Sequence, residues 1–322
     1  MFLLSTLQNT LKLHADKRNF TIAYSGGLDS HALLHAMHEL QKNNPEFKIR
    51  AVHVNHQLNP LSDQWAQHCL KISNDLNIPL HIEKINIDLK PGDSLEENAR
   101  NARYDILKKY IDKNTLLLTA HNLNDQAETF LLQALRGAGS KGLSAMPVKK
   151  KFGKSFLIRP LLNMSRETLE KYAQENKLQW IDDDSNIDPR FTRNYLRHDI
   201  FPLLKKRFPA TMENFARSSR LIAEQEKIIS EWIVNDFEKI KTHDVTTIDL
   251  KKIREFSDEK QRLLLRHWFA QNNLRMPNEK HLKQIQKDVL NAASDAHPVF
   301  QLDGIRIQRD RKCIYIIKES FS

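Results

Sequence analysis

A pair of glycines between a strand pattern and a helix pattern is the segment of this chain best suited to chemistry. The strand-like run 21–24 leads directly into Ser25, Gly26, Gly27, Leu28, Asp29 and Ser30. A strand that turns straight into a helix aims free backbone N–H groups and the positive helix end at one point. The glycines allow close backbone approach, and the serine hydroxyls add hydrogen-bond donors. The segment therefore predicts a phosphate site, although it lacks the Gly-Lys-Ser/Thr ending of a Walker A loop.

The elements around this turn predict an α/β fold. Short β-rich runs alternate with helix patterns: Phe20 to Tyr24, Ile49 to Val54, Leu80 to Ile87, Leu116 to Thr119 and Phe156 to Ile158. Such alternation predicts a mostly parallel sheet that is covered on both faces. Ligands of such sheets bind at the carboxyl ends of the strands, where the glycine turn lies.

The second half of the chain has a different pattern. Long helices follow Asn194, and a later unit is predicted to contain two helices and three strands: Glu259 to Gln271, Glu279 to Asn291, Pro298 to Leu302, Ile305 to Arg309 and Cys313 to Ile317. The dipeptide Asp303-Gly304 is a strong hairpin signal. We predict a catalytic domain at 1–208, a helical linker at 209–246 and a small α+β domain at 247–322.

The amino-acid composition limits the classes of binding partner and of protein that fit this chain. The 322 residues carry 50 Lys and Arg against 40 Asp and Glu, a net charge of +10, which favours a polyanion such as nucleic acid, or else a merely basic surface. No apolar run approaches the ~18 residues of a membrane span, and no signal-peptide pattern is present. Cys69 and Cys313 lie far apart, which argues against a zinc ribbon, an iron–sulfur cluster or a thiol relay. A cytoplasmic protein is expected.

Taken together, residues 25–30 resemble the pyrophosphate-binding loop of the N-type ATP pyrophosphatases. Further segments are similar, in order and spacing, to the tRNA(Ile)-lysidine synthetase family: Ala51 to Leu58, Ser94 to Tyr104, Ala120 to Thr129, Arg136 to Met146, Ile158 to Leu162 and Asp183 to Asn194. The resemblance is strong over about the first two hundred residues and looser over Arg262 to Pro277 and the terminal hairpin. It implies an adenine-nucleotide-α-hydrolase-like catalytic domain and a tRNA-recognition domain. The resemblance also implies that longer family members carry a further C-terminal domain beyond the matched segments, so this sequence is expected to be either a short form of the enzyme or a cut chain.

The resemblance also implies a reaction. Oxygen 2 of the wobble cytidine in a CAU-anticodon tRNA(Ile) attacks the α-phosphate of ATP, and free L-lysine then displaces AMP at carbon 2. The product, lysidine, changes codon reading from AUG to AUA. Residues 25–30 would hold the pyrophosphate, with Asp29 near its magnesium. The implied partners are ATP, magnesium, tRNA(Ile) and lysine, with no membrane, and a homodimer is left open.

Four further residues are candidates for catalysis in this reaction. Asp125 and Glu128 lie three apart at a predicted helix start, so they share a face and could hold or deprotonate the amino group of lysine. The less favoured alternative is that they are acids that complement the helix dipole. Arg103 and Arg193 are expected to stabilise the α-phosphate and AMP, because a guanidinium fork suits two phosphate oxygens; surface salt bridges are the alternative.

The chain departs from the family pattern at one segment. Where the family shows two His and two Asp, Asn122 replaces the second His and Asn124 the first Asp, while Asp125 is retained. An amide oxygen at Asn124 would be a weaker metal ligand than a carboxylate.

Other residues are assigned less specifically. Arg197, with the neighbouring run 205–207, and Arg306 and Arg309, with Arg311 and Lys312, could contact tRNA phosphates, or they could be ordinary solvated surface. His53 and His56 either line the nucleotide pocket or are satisfied histidines at a strand end.

Two other functions compete with lysidine synthesis. A tRNA thiolation enzyme would share the loop but needs paired cysteines, which Cys69 and Cys313 do not provide. A non-catalytic tRNA-binding protein could keep the ATP fold as a scaffold. Such a scaffold would bind tRNA without releasing pyrophosphate, so turnover separates the two.

Overall fold

The computed structural model describes residues 2–13, 17–85, 95–181, 192–293, 296–302 and 304–318. Ser94, the segment Asp183 to Phe191 and Asp303, all part of predicted motifs, lie outside the described residues. The chain divides into two compact units, Met1–Ala223 and Glu224–Ser322. The predicted division into 1–208, 209–246 and 247–322 stays a prediction, and one long helix contains the division point.

The first unit is built on a six-stranded sheet of order β3-β2-β1-β4-β6-β5. Its strands are β1 (Asn19–Ala23), β2 (Lys48–Asn55), β3 (Leu80–Lys84), β4 (Thr115–Leu118), β5 (Lys149–Phe152) and β6 (Ser155–Ile158). All neighbours pair in parallel except β5, which runs antiparallel to β6. The predicted parallel sheet is confirmed. The edge strand β5 was not predicted, because three consecutive lysines carry no strand signal.

Helices cover both faces of this sheet. The helices in this part of the chain are α1 (Phe2–Lys12), α2 (Leu28–Asn43), α3 (Ser62–Asp75), α4 (Leu95–Lys109), α5 (Leu123–Leu135), α6 (Ser140–Leu143), α7 (Arg166–Glu175), α8 (Thr192–Tyr195), α9 (Phe201–Arg207) and α10 (Thr211–Ile240), the last of which continues beyond the first unit. The alternation of side chains along a strand separates two cores. Leu116 and Leu118 of β4 join the core that includes Leu33 and Met37 of α2. Leu117 faces the opposite core with Leu107 of α4.

The second unit contains a four-stranded antiparallel sheet of order β7-β10-β9-β8. Its elements are β7 (Thr247–Asp249), α11 (Leu250–Arg254), α12 (Asp258–Gln271), α13 (Glu279–Ile285), β8 (Val299–Leu302), β9 (Ile305–Arg309) and β10 (Cys313–Lys318). Trp268 of α12 is fully buried in its core, and the indole N–H donates to the Val245 carbonyl at 2.8 Å. The small α+β unit is therefore confirmed, and the short β7 is added to it.

No helix in the described ranges is both long enough and apolar enough to cross a membrane.

The parallel strands β1, β2, β4 and β6 all end at one edge of the first sheet. The carboxyl ends of these strands and the segments that follow them contain the glycine turn, His53 to Gln57, His121 to Asp125 and Arg159. The fold thus brings segments more than a hundred residues apart in sequence to one edge.

Candidate active site

The glycine turn links β1 to α2 through a closed set of short hydrogen bonds. The Ser30 hydroxyl donates to the Gly27 carbonyl at 3.0 Å and accepts from the Ser25 backbone N–H at 3.2 Å. The Ser25 hydroxyl lies 3.0 Å from that of Ser30. Gly27 is the N-cap of α2. The two serines therefore hold the turn in shape at the N-terminus of a helix, where the helix dipole favours an anion.

Gly26 is confined as well as left-handed. Its φ is +87°, and a Cβ at this position would lie 2.8 Å from both Cys69 Sγ and Ile181 Cδ1. The Ile181 backbone N–H also donates to the Gly26 carbonyl at 3.0 Å. Sequence reasoning missed these two neighbours, because neither residue type signals contact with a loop that is distant in sequence.

Asp29, in the first turn of α2, is a half-buried carboxylate with an incomplete set of partners. Its Oδ1 atom is buried without a hydrogen-bond partner. Burial, and then the nearby Asp125, raise the pKa of Asp29 to about 6, against the opposing effects of Arg166, Arg197 and Asn122. A bound cation would offset both the cost of burying the Asp29 charge and its repulsion by Asp125.

The residues present fit magnesium bound together with a nucleotide. Within the described ranges, no group of three or more His, Cys, Asp or Glu side chains could hold a metal by itself. Magnesium, however, is commonly held by one or two carboxylates, with phosphate oxygens and water completing its octahedron. Asp29, at the end of the anion-binding turn, supplies a suitable oxygen.

The start of α5 explains both asparagines of the atypical segment. The Asn122 side chain caps the helix by accepting from the Asn124 and Asp125 N–H groups at 2.9 and 3.1 Å. Asp125 Oδ2 accepts from the Asn122 N–H at 3.0 Å, which completes a capping box. The Asn124 side-chain oxygen accepts from the Arg166 N–H at 3.1 Å and so joins α5 to α7. Both asparagines thus have positioning roles that need no charge.

Glu128, one turn further along α5, binds two arginines. Its side chain is 1% exposed. Arg193 Nε donates to Oε2 at 2.8 Å, and Arg197 donates through Nε to Oε1 at 2.8 Å and through Nη2 to Oε2 at 3.0 Å. Both carboxylate oxygens are therefore engaged, and Glu128 is not left open to an ammonium group as the sequence suggested. Arg197, expected on a tRNA-docking surface, lies in this cluster instead.

The two arginines also approach Asp125. Its Oδ1 lies 3.7 Å from Arg193 Nη2 and 3.5 Å from Arg197 Nη2. Oδ2 is committed to the helix cap, so Oδ1 is the oxygen of Asp125 that faces the cluster. Asp125 and Glu128, which were predicted to act alike, thus have different environments. Glu128 is buried and paired with the arginines, whereas Asp125 is more accessible.

A cavity of about 470 Å³ opens beside the glycine turn. Its walls include Ser25, His53, His56, Trp65 and Arg103. Burial, and then Arg103, lower the pKa of His56 to about 4, so this ring is neutral at neutral pH. The two histidines that the sequence left undecided line this cavity, and Arg103 lies in its wall as expected for a nucleotide-binding arginine.

A second cavity, of about 130 Å³, is lined in part by the N-terminus of α5. Its lining combines opposite charges with an apolar wall: Asn122, Asn124, Glu128, Arg166, Arg197, Phe201, Pro202, Lys205 and Met212. Because both oxygens of Glu128 are already engaged, the lining offers cations and an apolar wall, which suit a small molecule with an acid group and an apolar chain.

In the second unit, one predicted tRNA contact is wrong. Arg309 is 4% exposed, and its Nη1 donates to the carbonyls of Val289 and Leu290 at 3.0 and 3.2 Å. It caps the end of the π-helical turn Gln286–Leu290 and cannot reach a phosphate. The alternation along β9 explains this, because Arg309 shares the inward face with Ile305 and Ile307, whereas Arg306 points outward.

Comparison with known proteins agrees with this geometry. A family model described as a PP-loop domain matches residues 3–204, and one described as the TilS substrate binding domain matches residues 248–315. The U34-tRNA thiolase NcsA of Methanococcus maripaludis shares the fold, with a TM-score of 0.58 at 19% identity, over 69% of this chain and 78% of that one. The glycine turn and the parallel sheet thus belong to a PP-loop protein.

Curated relatives identify the family within the PP-loop proteins to which the chain belongs. The tRNA(Ile)-lysidine synthase of Coxiella burnetii is 46% identical over 92% of this chain and 66% of its own length. The enzymes of Vibrio cholerae and Haemophilus influenzae are 39% and 40% identical over 93% and 99% of this chain. The chain spans 68% and 74% of those two relatives. It belongs to the tRNA(Ile)-lysidine synthase family, whose members are ligases.

Replacing Gly26 by alanine tests how tightly the turn is packed. Gly26→Ala is expected to destabilise the protein by more than the about 1–2 kcal/mol of a left-handed alanine, because Cys69 and Ile181 must also move. ATP affinity should fall with it. Gly153→Ala is the matched control, since its φ is +54° but the nearest atom, Lys108 Cγ, is 3.9 Å from the added Cβ. Chemical denaturation and ATP titration measure both effects, and equal losses in the two variants would contradict the packing argument.

The raised pKa of Asp29 predicts opposite effects of Asp29→Asn on stability and on binding. Above about pH 6 the wild type carries a buried charge, so the variant should be the more stable protein. This advantage should shrink as the pH falls through 6 and vanish near the ordinary pKa of 3.8, where Asp29 is protonated in the folded and unfolded protein alike. Magnesium-dependent ATP binding should weaken below about pH 6 in the wild type and lose this pH dependence in the variant. Denaturation and ATP titration across pH check both; a pH-independent stability difference would contradict the assignment.

Proposed function

We propose that this chain attaches free lysine to carbon 2 of the wobble cytidine of a CAU-anticodon tRNA(Ile), with ATP converted to AMP and pyrophosphate. The observation that carries the proposal is the arrangement at one sheet edge. The cavity of about 470 Å³ is lined in part by Ser25 of the glycine turn, and the smaller cavity by Asn122, Asn124 and Glu128 at the start of α5. Asp29 of the first segment is near enough to Asp125 of the second for the two charges to interact. The family supplies the identity of the reaction.

ATP would bind with its pyrophosphate at the glycine turn and its nucleoside in the larger cavity. The backbone N–H groups of the turn and the start of α2 face the phosphates. Asp29 would hold magnesium, which neutralises phosphate charge when it is bound. Arg103, in the cavity wall, and Arg193, held beside Asp125, would stabilise charge on the α-phosphate.

Lysine would bind in the smaller cavity. Arg166, Arg197 and Lys205 offer cations for its carboxylate, while Phe201, Pro202 and Met212 offer an apolar surface for its methylenes. Glu128 accepts hydrogen bonds from the two arginines through both of its oxygens, so it has none left for an ammonium group. Asp125 Oδ1, which lies beside the same arginines, would bind that group instead. We assign Asp125 to the amino group and Glu128 to the orientation of Arg193 and Arg197.

The chemistry then has two displacements. The cytidine oxygen forms a bond to the α-phosphorus, and the bond to pyrophosphate breaks. The lysine amine next forms a bond to carbon 2, and the carbon–oxygen bond to AMP breaks. The attacking nitrogen must lose a proton, and Asp125 would receive it. Two substrates bound at one site gain the advantage of orientation.

Sulfur transfer is the less suitable alternative for this site. Burial raises the pKa of the Cys69 thiol to about 12, so it is not a thiolate at neutral pH. Cys313 belongs to the other compact unit. A cytoplasmic location and a homodimer stay predictions. Arg306 is retained as a tRNA contact, and Arg309 is withdrawn.

The proposed reaction is tested by following AMP and lysidine with purified protein. AMP formation should require both free lysine and the CAU-anticodon tRNA(Ile), and methionine tRNA should not replace that tRNA. Asp125→Asn should raise the KM for lysine about 10- to 100-fold, the cost of losing a charged hydrogen bond. The amide oxygen can still accept the Asn122 N–H, so the helix cap and the thermal stability should be retained.

Asp105→Asn is the control for charge, because it removes a carboxylate that is 69% exposed from the surface of α4. Its lysine KM should match the wild type. Pyrophosphate release without a lysine requirement would indicate a different nucleophile and contradict the proposal. Tight tRNA binding without any release would support the scaffold alternative.

A further inference from the structure

The edge strand β5 carries lysines that have no role in the proposed reaction. Lys149, Lys150 and Lys151 are all exposed, and Lys154 follows on the exposed turn to β6. In the portion of the chain that the structure describes, no ion pair joins any of these four lysines to a carboxylate. The first sheet therefore ends in a strip of uncompensated positive charge.

Two of these ammonium groups are held side by side. Lys149 Nζ lies 4.1 Å and Lys151 Nζ 5.2 Å from the ring centroid of Phe156. Lys151 is the direct cross-strand partner of Phe156, and Lys149 projects from the same face two residues away. Two cations gathered over one ring repel each other, and an anion bound between them would remove that repulsion. The ring orders the pair, so an anion would meet a partly preorganised site.

The lysine strip begins at the edge of the sheet where the active site lies. Lys149 pairs with Ile158, the last residue of β6. The next residue, Arg159, donates its backbone N–H to Val148 at 2.8 Å and its Nη1 to the Pro147 carbonyl at 2.7 Å. Arg159 is close enough to His121, four residues before Asp125, to lower its pKa. The strip therefore leads away from the catalytic edge along the outermost strand.

We propose that Lys149 and Lys151, with Phe156 between them, bind backbone phosphates of the anticodon arm of tRNA beside the wobble nucleotide. This inference rests on the proposed function. The reacting cytidine must enter at the carboxyl edge of the sheet, so its neighbouring phosphates lie close to that edge. The strip is an uncompensated positive surface that starts there.

A simpler role for these lysines is protection of an exposed strand edge against pairing with another chain. That role requires charge but no nucleic acid. It predicts aggregation when the lysines are neutralised and an unchanged affinity for tRNA, so the two roles give different results.

The test compares two double variants by the salt dependence of tRNA binding. Lys149→Gln/Lys151→Gln removes the pair over Phe156. Lys48→Gln/Lys113→Gln removes two exposed lysines at the amino ends of β2 and β4, which is the end of these strands away from the candidate site. Each lost phosphate contact reduces the slope of log K against log salt by about 0.7–0.9. The first variant should therefore show a slope shallower by about 1.4–1.8 and a raised KM for tRNA, with the KM values for lysine and ATP unchanged.

The control variant should keep the wild-type slope, and both should melt at the wild-type temperature. The same slope difference should appear with an isolated anticodon stem-loop. Equal slopes for the two variants overturn this inference alone, as does a difference seen with whole tRNA and lost with the stem-loop. A wild-type protein that fails to bind the tRNA overturns the proposed function as well.

Discussion

The buried carboxylate of Glu128 is the constraint on which the catalytic edge depends. A carboxylate that is 1% exposed is stable only when its charge is compensated and its oxygens are hydrogen-bonded. Arg193 and Arg197 meet both needs, and neither could be removed without leaving a charge poorly paired. Breaking such a buried pair typically costs about 3–5 kcal/mol. Glu128 therefore ties α5 firmly to Arg193 of α8 and to Arg197 of the π-helical turn Leu196–Ile200 that follows it.

The consequence of this tie is a site that holds both charges near one point. The arginines are oriented by Glu128 and approach Asp125, whose own carboxylate raises the pKa of Asp29. Under the proposed function, a triphosphate, a divalent cation and a zwitterionic amino acid would each find an opposite charge within this cluster. Electrostatic preorganisation of this kind needs no rearrangement during the reaction. The asparagines at 122 and 124 support it by fixing the helix start through neutral hydrogen bonds.

Local patterns in the sequence predicted much of this arrangement. The strand-to-helix turn at Ser25 to Ser30 and the alternation of strands and helices depend on neighbouring residues, so they could be recognised. The partners of Glu128 lie 65 and 69 residues away, and no local periodicity connects them. Its spacing from Asp125 therefore suggested a shared role that the fold divides. Arg309 differs, because the alternation Ile305, Ile307, Arg309 already indicated an inward-facing residue.

The positioning role of Glu128 is tested most directly by a double-mutant cycle with Glu128→Gln, Arg197→Gln and the combined variant. Both the rate of AMP formation and the free energy of unfolding should be measured for each protein. The account predicts that each single change slows AMP formation strongly and that the combined variant is little worse than either, a coupling of about 1–3 kcal/mol. Effects that add within about 0.5 kcal/mol would show that the two residues act independently and would contradict the account.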